Sequence, residues 1–292
     1  MLKVDVTVIG SGFSGSILAW VLASRGLSVV LVDRAKHPRF AIGESSTPIA
    51  DSILRQLAED YQIPVLHELS CWGSWQESHP DLPCGRKRGF SYLLHEKGKA
   101  FGEDAVGQKS LLVAASPTDF QSDTHWHRAS FDTFLWRNAI QAGARDLTGY
   151  EVSGIDLRSR THRIIHCQRS SQINDEVDAV SIASDWVVDA SGSSSVFSQL
   201  LRVEDWTDQL KTKTHSTFAH YRGVKSWEEV ISEPQRLDFK NPFSADDAAQ
   251  HHLLNDGWMW MLRFNHGVTS VGYTTAMQND LPSMESLRSD YP

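Results

Sequence analysis

The sequence predicts an α/β fold in which a domain with a parallel sheet is interleaved with a second, mainly β domain. A β-branched run at 4–9 leads through a glycine-rich turn into a helical stretch, and a second apolar run follows at 27–32. A similar strand, small-residue turn and helix is predicted at 184–201, "SDWVVDASGSSSVFSQLL". In the stretch 257–264, "GWMWMLRF", a period of two places Trp258, Trp260 and Leu262 on one face of a strand.

The composition is that of a globular protein and excludes several classes of function. The chain has 292 residues, 28 basic and 36 acidic, and a formal charge of −8. Because no basic run is present to neutralise phosphates, we expect no nucleic-acid partner. We expect no signal peptide and no stable membrane insertion, since no apolar run approaches about 18 residues. Cys71, Cys84 and Cys167 are widely spaced without a CxxC, which predicts free thiols and a cytoplasmic protein.

The first turn carries the pattern of a dinucleotide-binding site. Gly10, Gly12 and Gly15 form GxGxxG between a strand and a helix, and Asp33 ends the next strand. In this pattern the glycines permit a tight turn, a close approach of backbone to pyrophosphate, and close packing of helix on strand. The helix N-terminus offers unpaired N–H groups to the anion, and the acid accepts hydrogen bonds from a ribose. Asp33 disfavours the 2′-phosphate of NADP, which leaves NAD and FAD open.

Two further motifs narrow the choice of dinucleotide. They are Gly43-Glu44-Ser45 within "RFAIGESSTP" at 39–48, and the Asp-Ala-Ser-Gly turn that begins at Asp189. With the GxGxxG turn and Asp33-Arg34, these motifs resemble the FAD-binding fold of the glutathione-reductase-type flavoproteins, and within that group the flavin-dependent halogenases. The resemblance covers nearly the whole chain. Geranylgeranyl reductases and aromatic hydroxylases share most of the pattern and remain alternatives.

The resemblance implies a Rossmann-like FAD-binding domain with FAD as the cofactor. The residues that it assigns to FAD binding are Gly10, Gly12, Phe13, Ser14, Gly15, Asp33, Arg34, Arg39, Gly43, Glu44, Ser45, Arg128, Asp189 and Gly192. Of these, Arg128 opens a predicted helix and is implied to contact the FAD phosphates or ribose. The residues around it fit a solvated or helix-capping arginine equally well.

Two helices are predicted between the motifs. A stretch at about 49–61 is amphipathic, with one apolar side formed by Ile49, Ile53, Leu54 and Leu57. The helix that follows Arg128 has a core side formed by Phe131, Phe134, Leu135 and Ile140.

The candidate catalytic residues are Lys87, Trp258 and Trp260. Halogenases carry a Trp-x-Trp-x-Ile-Pro element, and here both tryptophans are retained while Leu262 replaces Ile and Arg263 replaces Pro. In the family these tryptophans bar the substrate from the flavin; the residues alone fit an ordinary half-buried strand. Lys87 lies in K-x-G-x-S-Y, similar to the context of the halogenase lysine, although its basic neighbours also fit a solvated strand edge.

The resemblance implies a reaction and its partners. Reduced FAD and oxygen convert halide to hypohalous acid, which reaches a lysine-lined pocket and meets an electron-rich aromatic small molecule. A lysine in an apolar pocket has a depressed pKa and can act as a nucleophile or hydrogen-bond donor. The sequence contains no second dinucleotide site, so a separate flavin reductase is expected to supply reduced FAD. The oligomeric state is left open.

A metal site is not expected. His125 and His127, near Asp119 and Asp123, form an H-x-H pattern that would place both imidazoles on one face of a strand. The FAD-binding resemblance already accounts for this segment, and no cysteine or further histidine completes a ligand set at suitable spacing.

The predicted domains are both discontinuous. The FAD-binding domain is expected at 1–70 and 115–205, and the substrate-binding sheet domain at 71–114 and 206–292. The family has a third FAD-contacting turn toward the C-terminus, and no such turn follows Gly272. We therefore expect the C-terminal part to be missing relative to the family, which keeps a non-catalytic flavin-binding fragment open as an alternative.

Overall fold

The computed structural model describes residues 1–102, 108–157, 163–170, 178–231 and 241–291. These residues divide into two compact units. Unit 1 comprises 1–43 and 128–209, and unit 2 comprises 44–127 and 210–292. Among the described residues, no helix combines the length and apolar character that crossing a bilayer requires.

The strands and helices are numbered in chain order. The strands are β1 (Leu2–Ile9), β2 (Val29–Asp33), β3 (Cys84–Lys87), β4 (Gly89–Leu94), β5 (Ser110–Ala114), β6 (Asp123–Trp126), β7 (Arg145–Thr148), β8 (Tyr150–Asp156), β9 (Arg163–Arg169), β10 (Ala179–Asp189), β11 (Thr214–Arg222), β12 (Ala249–Leu254), β13 (Gly257–Arg263) and β14 (Val268–Ala276). The α-helices are α1 (Phe13–Ser24), α2 (Pro48–Tyr61), α3 (Pro64–Glu68), α4 (Trp72–Ser78), α5 (Arg128–Gln141), α6 (Val196–Leu201), α7 (Trp227–Val230) and α8 (Met284–Asp290).

Unit 1 is built on a sheet with the strand order β7-β2-β1-β10-β9-β8. β1 is parallel to both β2 and β10, and β2 is parallel to β7, whereas β9 and β8 add an antiparallel edge. β2 is apolar along most of its length and buried, as expected for a central parallel strand. The core on one part of this sheet includes Ile9, Val30, Val32, Ile165 and Ile182. The predicted Rossmann-like α/β unit with a parallel sheet is therefore confirmed.

The predicted domain boundaries differ from those of the structure. Residues 44–70 and 115–127 belong to unit 2, not to the unit that carries the glycine turn. Pairing explains the difference: β6 pairs with β3, and Ser45 forms a β-bridge with His125. The segment after Gly43 is thereby tied to the strands of unit 2.

Unit 2 contains a second six-stranded sheet with the order β11-β14-β13-β12-β4-β5 and a two-stranded sheet of β3 and β6. Except for the parallel pair β4–β12, the neighbouring strands of the larger sheet are antiparallel. α2 buries Asp51, Leu54 and Ala58. The predicted apolar side of this helix is wrong in part, because Ile49 and Ile53 are exposed.

The predicted period of two in β13 is confirmed by its packing. Trp258 and Trp260 lie on one face with ring centroids 5.9 Å apart. The indole of Trp260 lies over Gly272, its register partner on β14. A Cβ atom at position 272 would lie 2.1 Å from Trp260 Cζ2, so a glycine is needed beneath this ring.

Substitution of Gly272 should therefore disturb this face. We expect Gly272→Ala to lower the melting temperature by several degrees and to change the near-UV circular dichroism of the tryptophans, because overpacking costs about 1–3 kcal/mol. Gly102→Ala is the matched control, since a Cβ atom there meets nothing within 4 Å. Equal melting temperatures for the two variants would contradict the packing of Trp260 on Gly272.

Candidate functional site

The glycine turn of unit 1 touches the Asp-Ala-Ser-Gly turn. Gly10 has φ +103°, and a Cβ atom on it would lie 2.3 Å from the carbonyl oxygen of Ala190. Ala190 N donates a hydrogen bond to Ile9 O at 2.8 Å. A Cβ atom on Gly15 would lie 1.9 Å from Gly10 O. Both positions therefore require glycine for reasons of space.

Asp33 holds the glycine turn in place. Its Oδ2 accepts hydrogen bonds from Ser11 N at 2.8 Å, Ser11 Oγ at 2.9 Å and Arg39 Nη2 at 3.3 Å. Its Oδ1 accepts one from Ala35 N at 2.9 Å. A carboxylate has about four acceptor positions, so Oδ1 keeps capacity for a further donor. Binding of a ribose by Asp33 stays a prediction, and Ser11 is a turn residue that sequence reasoning missed.

Arg39 and Arg128 converge on Gly12. A Cβ atom on Gly12 would lie 3.6 Å from Arg39 Nη2 and 3.7 Å from Arg128 Nη2. The buried Nε of Arg39 has no hydrogen-bond partner among the described residues. Two guanidinium groups beside a helix N-terminus, one with an unused donor, fit a pyrophosphate. The residues present therefore fit the phosphate portion of FAD.

Arg128 is buried rather than solvated. It pairs with Asp132 at 2.7 and 2.8 Å and donates to the carbonyl oxygens of Ile42 at 2.5 Å and Gly43 at 3.2 Å. Its guanidinium carbon lies 4.7 Å from the ring centroid of Phe13. Arg128 thus fixes the chain before the Gly43-Glu44-Ser45 motif, and its contact with FAD stays a prediction.

The other predicted cofactor residues have distinct local roles. Glu44 is buried, and its Oε1 lies 2.8 Å from His220 Nε2, while Ser45 is exposed. Asp189 accepts hydrogen bonds from Ser191 N at 3.0 Å and Phe197 N at 2.8 Å, which organises the turn before α6. Of the remaining predicted cofactor residues, Ser14 and Arg34 are exposed, and Gly192 has a left-handed backbone with φ +63°.

Lys87 is fully buried at the end of β3. The alternative prediction, a solvated lysine at a strand edge, is therefore wrong. Its register partner across the two-stranded sheet is Asp123, with 3.8 Å between Lys87 Nζ and Asp123 Oδ2. Nζ also donates a hydrogen bond to Ser46 O and lies 4.4 Å from the ring centroid of Phe90. Burial lowers the pKa of the Lys87 ammonium, while the charges of Asp123 and Asp51 oppose that shift.

Asp51 completes this cluster and was missed by sequence reasoning. It lies on the buried side of α2, close enough to Asp123 for the charge of that carboxylate to act on it. Burial, followed by the negative charge of Asp123, raises the pKa of Asp51 to about 8. Burial also raises the pKa of Asp123. Two carboxyl groups and one ammonium thus share protons in a buried site.

His125 and His127 do not form the predicted pair on one strand face. β6 ends at Trp126, and His127 lies beyond it, against Phe264 and His266. His125 is buried near Lys87, and burial lowers its pKa to about 3. Within the described parts of the chain, no three His, Cys, Asp or Glu residues are grouped so as to hold a metal ion.

Aromatic side chains continue from Lys87 across one face of the larger sheet, here called the aromatic face. The members are Phe90, Tyr92, His251, Trp258 and Trp260, with centroids 6.5 Å apart for Phe90–Tyr92, 4.8 Å for Tyr92–His251, 5.2 Å for His251–Trp258 and 5.9 Å for Trp258–Trp260. All three predicted catalytic residues therefore lie in unit 2, with Lys87 over the first ring of this face and the tryptophans at its other end. Such a face favours contact with a planar aromatic molecule.

Comparison with known proteins identifies the family. Residues 5–224 match the family described as DAO, FAD dependent oxidoreductase. The chain belongs to this family of FAD-dependent oxidoreductases. It is 27% identical over 280 residues to tetracycline 7-halogenase from Kitasatospora aureofaciens, covering 94% of this chain and 47% of that protein.

Further relatives of this FAD-dependent oxidoreductase are also halogenases. Monodechloroaminopyrrolnitrin halogenase PrnC from Pseudomonas fluorescens is 24% identical over 263 residues, covering 90% of this chain and 43% of that protein. The crystal structure of halogenase PltM in complex with phloroglucinol and FAD superposes with a TM-score of 0.84 and 27% identity, covering 99% of this chain and 56% of that one. The chain spans about half the length of the curated relatives it matches.

The family decides between the two dinucleotides that the first motif left open. The cofactor of this FAD-dependent oxidoreductase is FAD, as predicted from the three motifs together. The predicted resemblance to flavin-dependent halogenases is confirmed by the relatives and by the fold.

The glycine turn should control FAD affinity. We expect Gly10→Ala to weaken FAD binding by at least about tenfold, because the added Cβ atom collides with Ala190 O and the left-handed backbone is strained. Titration of flavin fluorescence measures this. Gly154→Ala in β8 is the control, as its Cβ atom makes ordinary contacts only. Unchanged affinity for Gly10→Ala would exclude the turn from the FAD site.

The buried carboxyl pair should make stability depend on pH. Asp51 has an ordinary pKa of 3.8, raised to about 8 in the fold, so the native state keeps a proton that the unfolded chain releases. The free energy of unfolding should therefore fall as pH rises from about 4 to about 8, by up to about 1.4 kcal/mol per pH unit for one proton. Urea unfolding at several pH values should give a shallower slope for Asp51→Asn. The exposed Asp81→Asn is the control; equal slopes for all three proteins would exclude the shared proton.

Proposed function

We propose that the protein is a flavin-dependent halogenase that acts on an electron-rich aromatic small molecule. The observation that carries the proposal is a fully buried lysine, Lys87, between two carboxyl groups and the aromatic face. Burying an ammonium group costs free energy. A lysine that is buried beside two carboxyl groups therefore indicates a role that requires a positioned proton donor. The similarity to a tetracycline halogenase and to a halogenase that binds phloroglucinol supports the same reaction class.

Bound FAD, when reduced, supplies the chemistry that activates oxygen and oxidises halide to hypohalous acid. The chain holds FAD through the glycine turn, Arg39 and Arg128. In unit 2, the Lys87 ammonium donates a hydrogen bond to the oxygen of hypohalous acid. As the aromatic ring attacks the halogen, Lys87 transfers its proton to the oxygen, the oxygen–halogen bond breaks and the oxygen leaves as water. The proton that the ring releases when it regains aromaticity returns to the Lys87 amine.

Asp123, 3.8 Å from Lys87 Nζ, keeps Lys87 protonated against its burial, and Asp51 holds Asp123 in place beside it. The negative charge of Asp123 opposes the desolvation that lowers the pKa of Lys87. Asp51 and Asp123 therefore act as positioning residues, through Lys87.

Trp258 and Trp260 are proposed to wall the substrate from the flavin. Trp260 is fixed by its contact with Gly272 and by a hydrogen bond from its Nε1 to Ser270 Oγ at 3.2 Å. The two indoles form a rigid apolar boundary. Hypohalous acid is small enough to pass this boundary, whereas the aromatic substrate is too large.

The proposed partners are a halide ion, a phenol, indole or pyrrole substrate, and a separate flavin reductase that delivers reduced FAD. The proposed location is the cytoplasm, which the three free thiols support. Since the chain spans about half of its relatives, a flavin-binding fragment without turnover is the competing proposal.

A halogenation assay on the unmodified chain and on a Lys87 variant distinguishes a halogenase from a flavin-binding fragment without turnover. With reduced FAD, oxygen, bromide and a panel of phenols, indoles and pyrroles, we expect halogenated product by mass spectrometry for the unmodified chain. Lys87→Met should abolish product while oxygen consumption continues, because the uncharged side chain fits the buried site but donates no proton. Lys99→Met, at an exposed side chain, is the matched control.

Each alternative predicts a different result. Product from Lys87→Met would exclude the lysine from catalysis. Oxygen consumption without halogenation in the unmodified chain would favour an aromatic-hydroxylase-like or reductase-like enzyme. Flavin that is lost on purification and retained after downstream sequence is added would support the fragment.

A further inference from the structure

A cavity of about 480 Å³ lies in unit 2, on the face of the larger sheet opposite Trp258 and Trp260. Successive side chains of a strand point to opposite faces. Met259, Met261 and Arg263 of β13 line the cavity, whereas the two tryptophans do not. Its volume is in the range of small-molecule sites in proteins. The cavity is therefore separate from the aromatic face.

Aromatic rings and thioethers form much of the cavity wall. Trp227 is edge-on to Phe101, with centroids 4.9 Å apart and 73° between the planes. Met259, Met261 and Tyr291 also line the space. Rings gain from edge-to-face contacts, and thioether sulfurs from contacts with ring edges. These walls favour a planar aromatic ligand.

A chain of hydrogen bonds fixes the polar side of the cavity. Gln250 Nε2 donates to Asp246 Oδ1 at 3.0 Å, because a carboxylate only accepts. Gln250 Oε1 must then accept from His252 Nε2 at 3.3 Å. His252 Nδ1 lies 2.9 Å from His95 Nε2.

The two histidines of this hydrogen-bonded series, His95 and His252, are neutral at neutral pH. Burial lowers the pKa of His95 to about 4 and that of His252 to about 3. A neutral ring has one N–H, and in His252 it is on Nε2, so His252 Nδ1 accepts from His95 Nε2. His95 Nδ1 is left as an acceptor, and no described residue donates a hydrogen bond to it. His95 is one of the residues that line the cavity.

Three basic residues line the cavity, Lys225, Arg263 and Arg288, and the charge of Arg263 is compensated. Arg263 pairs with Asp246 and donates to the carbonyl oxygens of Val224 and Lys225. Asp246 also accepts from Trp227 N at 2.8 Å. The guanidinium of Arg263 is therefore already paired and does not call for an anionic ligand.

We infer that this cavity binds a neutral phenol, with the ring against Trp227 and the methionines and the hydroxyl donating to His95 Nδ1. The site is independent of the proposed halogenation. It lies on the other face of the sheet and uses neither Lys87 nor FAD.

Methionine methyl NMR tests the site directly, with p-cresol as the probe. The chain has five methionines. In the 292-residue protein labelled at methionine methyls, we expect saturable shifts of Met259 and Met261, and none of Met1 or Met277. 4-Methylanisole, which has no hydroxyl donor, should bind about tenfold more weakly.

Three variants distinguish this cavity from the proposed catalytic site. His95→Phe keeps a ring but removes the acceptor, so p-cresol should bind about tenfold more weakly, whereas the exposed His67→Phe should bind as the unmodified protein does. Lys87→Met should leave the Met259 and Met261 shifts unchanged. Absence of these shifts at millimolar p-cresol, equal binding of p-cresol and 4-methylanisole, or loss of the shifts in a Lys87→Met variant that keeps the near-UV circular dichroism of the unmodified protein would overturn the inference. The two probes on the unmodified protein decide it even if His95→Phe does not fold.

Discussion

Burial of the Lys87 ammonium is the constraint on which the arrangement of unit 2 depends. A cation without water needs opposite charge and hydrogen-bond acceptors, or it loses its proton. Here they come from separate parts of the chain: Asp123 across the two-stranded sheet, Asp51 on α2, and the carbonyl oxygen of Ser46 before that helix. These contacts hold α2, β3 and β6 together. The segment of unit 2 that runs from Ser46 into α2 is thus held by the charge of Lys87.

Much of the FAD-binding fold could be predicted because its determinants are local. The GxGxxG turn, the strands on either side of α1, and Asp33 at the end of β2 lie within one short stretch. The cluster at Lys87 could not be predicted, because its members are far apart in sequence and depend on register between β3 and β6. α2 shows the physical reason. Its apolar pattern predicted a buried side with Ile49 and Ile53. The side that is buried includes Asp51 instead, whose carboxyl group belongs to the Lys87 cluster.

The departure of β13 from the halogenase motif has a structural explanation. Arg263 stands where the motif has proline, and it points to the cavity side of the sheet, opposite the tryptophans. There its guanidinium binds Asp246 and two backbone carbonyl oxygens. Proline could make none of these contacts. Arg263 and the two tryptophans therefore lie on opposite faces of β13, and the contacts of Arg263 do not involve Trp258 or Trp260.

The buried titratable groups of unit 2 are of two kinds, and the difference indicates where acid chemistry can occur. His95, His125 and His252 are buried with burial as the main influence on their pKa values, which fall to between about 3 and about 4, so they are neutral. Lys87 is buried with two carboxyl groups that oppose the same effect. A neutral imidazole can donate or accept a hydrogen bond, whereas an ammonium group also carries a proton that it can transfer to an oxidant. Among these four side chains only Lys87 has carboxyl groups whose charges oppose the effect of burial, and it also contacts the aromatic face.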